Sequence, residues 1–110
     1  MAEAQAWIEQ DPDTATRKEL QALIDVGDLN EVRERFSARL AFGTAGIRGT
    51  IGAGPGRMNR ALVRRVTAGL ANYLLDTVPD CWKKGVVVAR DGRRMSPEFA
   101  EDTNNTSAAY

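Results

Sequence analysis

The 110-residue sequence contains no histidine, a single cysteine and no net charge at neutral pH. Without histidine, imidazole metal ligands and the Ser–His or Cys–His pairs of many hydrolases are excluded. Because Cys81 is alone, no internal disulfide can form, which agrees with a reducing compartment. Fifteen basic residues balance fifteen acidic ones, whereas nucleic-acid binders usually carry a basic excess. We therefore expect no nucleic-acid partner.

Long hydrophobic runs are also missing. The longest strongly apolar run, residues 85–89, is far shorter than the roughly 20 residues of a membrane-spanning helix. The amino terminus, MAEAQAWIEQD, has acidic residues but no apolar core behind basic ones, so it does not resemble a secretory signal. We expect a cytoplasmic chain with no membrane partner.

Residues 1–38 predict a helical amino-terminal extension. In its second helix, Leu20, Leu23 and Ile24 recur at helical spacing, Asp13 or Thr14 can cap the start, and Gly27 can end it. A short helix near residues 28–36 completes the extension.

Residues 39–110 mix strand and helix signals and predict the fold class α/β: an incomplete three-layer α/β/α domain with a mixed sheet. Residues 39–42 and 47–51 are strand or hairpin candidates. The run GVVVA at 85–89 has no polar alternation and predicts a strand buried on both faces.

Two helices are expected in this second region. Asn59 can cap a helix reaching about Asp76, in which Gly69 suggests a close-packed neighbour. Ser96 can cap another, with Pro97 at its first position. The tail EDTNNTSAAY is not expected to continue that helix, because its polar side chains compete for backbone hydrogen bonds.

The segment FGTAGIRG, residues 42–49, is the first candidate site. Closely spaced glycines (Gly43, Gly46, Gly49) let backbone N–H groups converge on an anion, and Thr44 and Arg48 can add a hydroxyl and a guanidinium. The alternative is a tight structural turn with a solvated arginine.

The second candidate follows the apolar run. Asp91 and Gly92 form a turn signal, and Arg93 and Ser96 precede a helix whose amino end favours anions. The alternative is a turn stabilised by an Asp–Arg pair. Elsewhere, we interpret Cys81 as a packing thiol and a group of arginines as a solvated face: Arg57, Arg60, Arg64 and Arg65.

Three segments together resemble the first domain of the alpha-D-phosphohexomutases, the phosphoglucomutase/phosphomannomutase family. They are FGTAGIRG, GRMNRALVRRVTAGLANYL and GVVVARDGRRMSPEFA, in that order. The preceding Arg33 to Thr44 is similar to the phosphopentomutase-like branch. The resemblance covers about residues 5–102.

The resemblance implies a fold and a reaction. Family members have four domains around a cleft, and an enzyme phosphoserine exchanges phosphoryl groups with a sugar phosphate, so that phosphate moves between C1 and a distal hydroxyl. Magnesium, held by an Asp-rich loop, assists this transfer, and a glucose 1,6-bisphosphate-type activator is expected.

Mapped onto this chain, the resemblance makes Arg48 a phosphoryl contact and Thr44 a supporting donor. Arg93 is a weaker substrate-binding candidate, and Asp91, Gly92 and Ser96 are architectural. The phosphoserine motif, the magnesium ligands and the specificity loop are not in this sequence. We therefore expect the chain to be inactive alone, marginally stable and prone to self-association. The alternatives are a phosphosugar- or anion-binding module and an interaction fragment that docks on a full-length mutase.

Overall fold

A computed structural model describes residues 2–37, 40, 42–43, 46–47, 49–90 and 95–109, with the side chains of Phe42 and Trp82 excepted. The chain divides into two compact units, residues 1–62 and 63–110. The secondary structure of the described residues, in chain order, is α1 Ala2–Gln10, α2 Thr14–Asp25, α3 Leu29–Ser37, β1 Phe42–Gly43, β2 Gly46–Ile47, α4 Arg60–Thr77, α5 Cys81–Lys84 and α6 Ser96–Ala108.

The helices of the first unit follow local signals, as predicted. Asp13 caps α2, because its side chain accepts a hydrogen bond from the Ala15 backbone N–H. Gly27 follows that helix with a φ of +77°, a left-handed conformation that glycine adopts without a steric penalty. Helix α3 then begins at Leu29.

The core of the first unit lies where α1, α2 and α3 pack together. Leu20 is fully buried at its centre, and Ala4, Val32 and Ala53 are buried around it. Ala53 is far from the helices in sequence, so the glycine-rich region packs against the same core. Larger apolar side chains surround these residues: Trp7, Ile8, Leu23, Ile24 and Phe36.

A short antiparallel hairpin follows the helices. Phe42 pairs with Ile47, and Gly43 with Gly46. Ile51 forms an isolated parallel bridge with Met58 rather than extending the hairpin, so the predicted arm at residues 47–51 is shorter than expected. This two-stranded pairing is the sheet structure of the described residues, and the predicted mixed sheet is not seen among them.

The second unit corrects the strand prediction for residues 85–89. Residues 85–90 form no helix or strand, and the Val86 and Val87 side chains are 57% and 93% exposed. A strand requires a hydrogen-bonded neighbour, and no described segment pairs with this run. The apolar pattern predicted burial, but the described residues provide no strand partner that would cover the run.

Three helix predictions in this unit were also wrong. Helix α6 extends to Ala108, through the tail that was expected to leave it. It begins one residue earlier than predicted, because Met95, with a φ of +68°, is the N-cap in place of Ser96. Gly69 has no close neighbour: a Cβ there would meet nothing within 4 Å.

Two polar side chains of α6 have hydrogen-bond partners within the second unit. Asp102 is completely buried and accepts a hydrogen bond from Arg64 Nε at 2.9 Å. Thr103 Oγ1 donates back to the Phe99 carbonyl at 2.9 Å. Since these groups have partners that are compatible with a helix, they no longer compete for its backbone.

Candidate functional site

The described structure places part of the first candidate site. Gly43 and Gly46 face each other at the end of the hairpin. At Gly49, a Cβ would lie 2.7 Å from Leu40 Cδ1, so the lack of a side chain lets Leu40 pack there. Thr44 and Arg48 lie outside the described residues, and their predicted contacts with a phosphoryl group stay predictions.

The second candidate site is described only at its end. Ser96 is the first residue of α6, in the second unit. Asp91, Gly92 and Arg93 lie outside the described residues. Their predicted roles therefore stay predictions.

The glycine-rich loop, defined here as residues 50–58, directly follows the first candidate site and is held by one buried side chain. Asn59 is 1% exposed, and its Nδ2 donates to the carbonyls of Gly52 at 2.9 Å, Gly54 at 2.8 Å and Arg57 at 3.2 Å. Its Oδ1 accepts from the Leu62 N–H at 2.9 Å, which caps α4 as predicted. Asn59 thus joins the loop to the helix.

A second set of contacts joins the loop to helices α2 and α3. Ala53 N–H donates to Glu19 Oε2 at 2.6 Å, and Arg35 Nη1 donates both to that carboxylate and to the Ala53 carbonyl, the latter at 3.1 Å. Arg35 Nε also donates to Glu31 at 2.9 Å. We call Glu19 and Arg35, with their contacts to Ala53, the Glu19–Arg35 clamp.

Electrostatics reinforce this clamp. Burial alone would lower the pKa of the Arg35 guanidinium, but its hydrogen bonds to Glu19 and Glu31 outweigh burial and raise that pKa above its ordinary value. A guanidinium is in any case charged at neutral pH, and the Arg35 side chain is only 14% exposed. Sequence reasoning missed Glu19 and Arg35, because residues 16 positions apart on different helices give no local signal.

The loop's glycines are explained by the closeness of this ion pair. A Cβ on Gly52 would lie 3.2 Å from Glu19 Oε2 and 3.4 Å from Arg35 Nη1. Gly54 has a φ of +107°, and a Cβ there would lie 3.0 Å from Arg35 Cβ. A side chain at Gly52 would require the Glu19 and Arg35 side chains to shift by a few tenths of an ångström, whereas at Gly54 the positive φ favours glycine whatever the space.

The arginine group is not uniformly a solvated face, which corrects the prediction. Arg57 is only 17% exposed in its side chain and lies 3.4 Å from Glu34 and 3.6 Å from Glu31. Arg64 is paired with buried Asp102, whereas Arg65 is exposed. These residues contribute to packing and ion pairs at different places in the chain.

The second unit contains an apolar groove of about 620 Å³. Helix α4, residues 84–88 and α6 line it, and Cys81 contributes its partly buried thiol. Leu70, on α4, is 50% exposed. No helix of the described ranges is long and apolar enough to cross a membrane.

Comparisons with known proteins identify relatives of this sequence. Residues 39–110 match the family described as phosphoglucomutase/phosphomannomutase, alpha/beta/alpha domain I. A probable phosphoribomutase of Schizosaccharomyces pombe is 42% identical over 97 residues, which cover 88% of this chain and 16% of that protein. No solved structure matches the chain.

Relatives from other organisms give the same result. The human phosphopentomutase is 36% identical over 91 residues, covering 83% of this chain and 15% of its own length. A Staphylococcus aureus phosphoglucomutase is 36% identical over 104 residues, covering 94% of this chain and 18% of its own length. The chain thus spans less than a fifth of the length of these curated relatives.

Proposed function

The chain belongs to the phosphoglucomutase/phosphomannomutase family, and from that premise we propose that it is part of an enzyme that moves phosphate between C1 and a distal hydroxyl of a sugar phosphate. The single observation that supports this most is the match of residues 39–110 to domain I, which includes the whole FGTAGIRG segment. The relatives are named as a probable phosphoribomutase, a phosphopentomutase and a phosphoglucomutase, and each of these names indicates a sugar phosphate as substrate.

We assign this chain the task of binding and orienting a phosphoryl group. Arg48 would contact its oxygens with a guanidinium that is always charged, and Thr44 would donate a hydroxyl hydrogen bond. Phosphoryl transfer depends on such positioning and charge neutralisation. The Asp91–Arg93 turn would supply a second, weaker contact.

The transfer itself would need groups that this sequence does not contain. The phosphoserine and the Asp-rich magnesium loop of the family are not in its 110 residues. Among the described side chains, no three His, Cys, Asp or Glu residues form a group that could hold a metal ion. We therefore assign no magnesium-dependent step to this chain and propose that it does not turn over substrate alone.

Binding of glucose 1,6-bisphosphate tests the proposed site. In isothermal titration, the wild-type chain should bind saturably and Arg48→Ala should lose that binding. Arg65→Ala is the matched control, because it removes an exposed arginine elsewhere and should leave the affinity unchanged. Equal affinity in wild type and Arg48→Ala would contradict the assigned role.

A coupled mutase assay tests inactivity. The chain, given a sugar 1-phosphate, magnesium and glucose 1,6-bisphosphate, should form no product above a blank. Measurable turnover that follows the protein concentration would overturn the proposal that further parts of the enzyme are needed.

We also propose that the chain self-associates through apolar surface of the second unit. Val86, Val87 and Tyr73 are 57%, 93% and 62% exposed, and residues 85–90 have no strand partner among the described residues. In the complete domain, this run would join a mixed sheet and be covered. Analytical ultracentrifugation should show mass increasing with concentration, and Val87→Lys should reduce it. A monomer at all concentrations would contradict this proposal.

A further inference from the structure

The Glu19 carboxylate lies against the glycine-rich loop and accepts a hydrogen bond from its backbone. One of its oxygens, Oε2, accepts from both the Ala53 N–H and Arg35 Nη1. Gly52 allows this approach, since a Cβ there would lie 3.2 Å from the same oxygen. Backbone N–H groups of glycine-rich loops often bind phosphate, whereas the Ala53 N–H of this loop binds a carboxylate of the protein itself.

We infer that Glu19 and Arg35 are positioning residues: they hold the glycine-rich loop in one conformation and, through it, the anion-binding turn at Arg48. The inference rests on the proposed function for the role of that turn. It goes further in including helices α2 and α3 in the site, although both lie before the residues 39–110 that match domain I. On this account the helical extension is required for binding.

Hydrogen bonds within the glycine-rich loop connect the residues that contact the clamp with Thr50, at the start of the loop. Met58 N–H donates to the Thr50 carbonyl at 2.8 Å, and Gly52 N–H donates to the Met58 carbonyl at 3.0 Å, so the base of the loop is closed. Gly56 N–H donates to the Arg35 carbonyl at 2.8 Å. The Thr50 carbonyl is thus held by the loop, and Thr50 is two residues after Arg48 in the sequence.

The charges facing the clamp explain why both partners are needed. Glu19 and Glu31 both accept from Arg35, and Ala53 offers that guanidinium a carbonyl as well. Without Glu19, Arg35 keeps one carboxylate, but the Ala53 N–H loses its acceptor. Without Arg35, Glu31 still has Arg57 at 3.6 Å, but Glu19 loses its ion pair with Arg35 and the Ala53 carbonyl loses the Arg35 donor, so the loop should be held less firmly.

Amide hydrogen exchange of the full chain tests whether the clamp orders the loop. In Glu19→Ala, the Ala53 amide should exchange at least about tenfold faster, as expected when a hydrogen bond to a charged group is lost. Exchange of the Leu23 and Val32 amides, on α2 and α3, is the internal reference for overall stability. Glu19→Gln keeps an acceptor oxygen for Ala53 and should restore most of the protection, whereas Arg33→Ala, an exposed position on α3, should change nothing.

Affinity for glucose 1,6-bisphosphate tests whether the clamp acts through the Arg48 turn. Arg35→Ala should weaken binding, and Arg35→Lys should restore it only in part, because an ammonium cannot form the forked contacts of a guanidinium. Adding Arg35→Ala to Arg48→Lys, which keeps a cation and a measurable affinity, should weaken binding by less than the product of the two single losses. Losses that simply multiply would show independent action and overturn the positioning role.

The outcomes separate this inference from the proposed function. If Ala53 exchanges at the wild-type rate in Glu19→Ala, the clamp does not order the loop and the inference is wrong, whatever the chain binds. If the wild-type chain has no affinity for the bisphosphate, the proposed function fails, and with it the link to binding. If amide exchange becomes faster only in the loop, and the losses of affinity in the Arg35 and Arg48 variants are not additive, both the inference and the proposed function are supported.

Discussion

Replacing Asn59 with alanine should lower the free energy of unfolding by about 3 kcal/mol. Loss of the α4 cap, the hydrogen bond to Leu62 N–H, accounts for about 1 kcal/mol of this. The side-chain amide has two N–H groups, which three carbonyls share at 2.8–3.2 Å. Two buried hydrogen bonds at about 1 kcal/mol each give the remainder.

Urea unfolding followed by circular dichroism measures this loss. With a slope of about 1–2 kcal/mol per molar for a chain of this size, the midpoint should fall by about 2 M. Asn59→Ser should lose about 2 kcal/mol, because serine keeps the cap but not the amide donors. Asn72→Ala, at an exposed position of α4, is the control and should be neutral or slightly stabilising.

Two results would refute this reasoning. A loss below about 1 kcal/mol in Asn59→Ala would mean that the loop carbonyls find other partners at no cost. Full stability in Asn59→Ser would mean that only the cap matters and that the loop is held elsewhere. Either result would also weaken the account of the glycine-rich loop.

Three further predictions concern stability, each measured by the same urea unfolding. Gly54→Ala should destabilise the chain by more than about 1 kcal/mol, because the φ of Gly54 is +107°. Gly69→Ala should stabilise it by up to about 1 kcal/mol, because Gly69 lies in a helix with open space around it, and effects of the same sign in the two variants would contradict this prediction. Asp102→Ala should cost about 1.5–3 kcal/mol through loss of its hydrogen bond with Arg64, and an unchanged midpoint would contradict a role for that pair. Burial raises the pKa of Asp11 above its ordinary value, although hydrogen bonds from Thr16 and from the Asp13 backbone lower it. The folded chain therefore binds the Asp11 proton more readily than the unfolded chain, and the contribution of Asp11 to stability should rise as pH falls from 7 through that raised pKa. Asp11→Asn should remove this rise, and an identical pH profile in both chains would show that another group is responsible.

Local signals predicted the elements that local hydrogen bonds determine. Asp13 and Asn59 were recognised as caps from sequence, and both side chains accept from the first turn of their helices. Gly27 was recognised as a helix end and adopts the left-handed conformation expected there. In each case, the residues that determine the structure lie within a few positions of one another, so the pattern contains the information.

The predictions that the structure contradicts involve partners that are distant in sequence. The run at residues 85–89 has the composition of a buried strand, but a strand also needs a neighbour, which no described segment provides. The tail of α6 was expected to fray, yet Asp102 is paired with Arg64, 38 positions earlier. The Glu19–Arg35 clamp was missed for the same reason. Spacing within one segment cannot show which distant charge its side chains will meet.

The central claim is that the turn around Arg48 binds the phosphoryl groups of a sugar phosphate, and an amide-resolved NMR titration of the full chain with glucose 1,6-bisphosphate tests it most directly. We predict saturable shifts for the amides of residues 42–50 and the glycine-rich loop, with those of α1 unchanged. Shifts confined to the second unit, or the same shifts in Arg48→Ala, would contradict the claim.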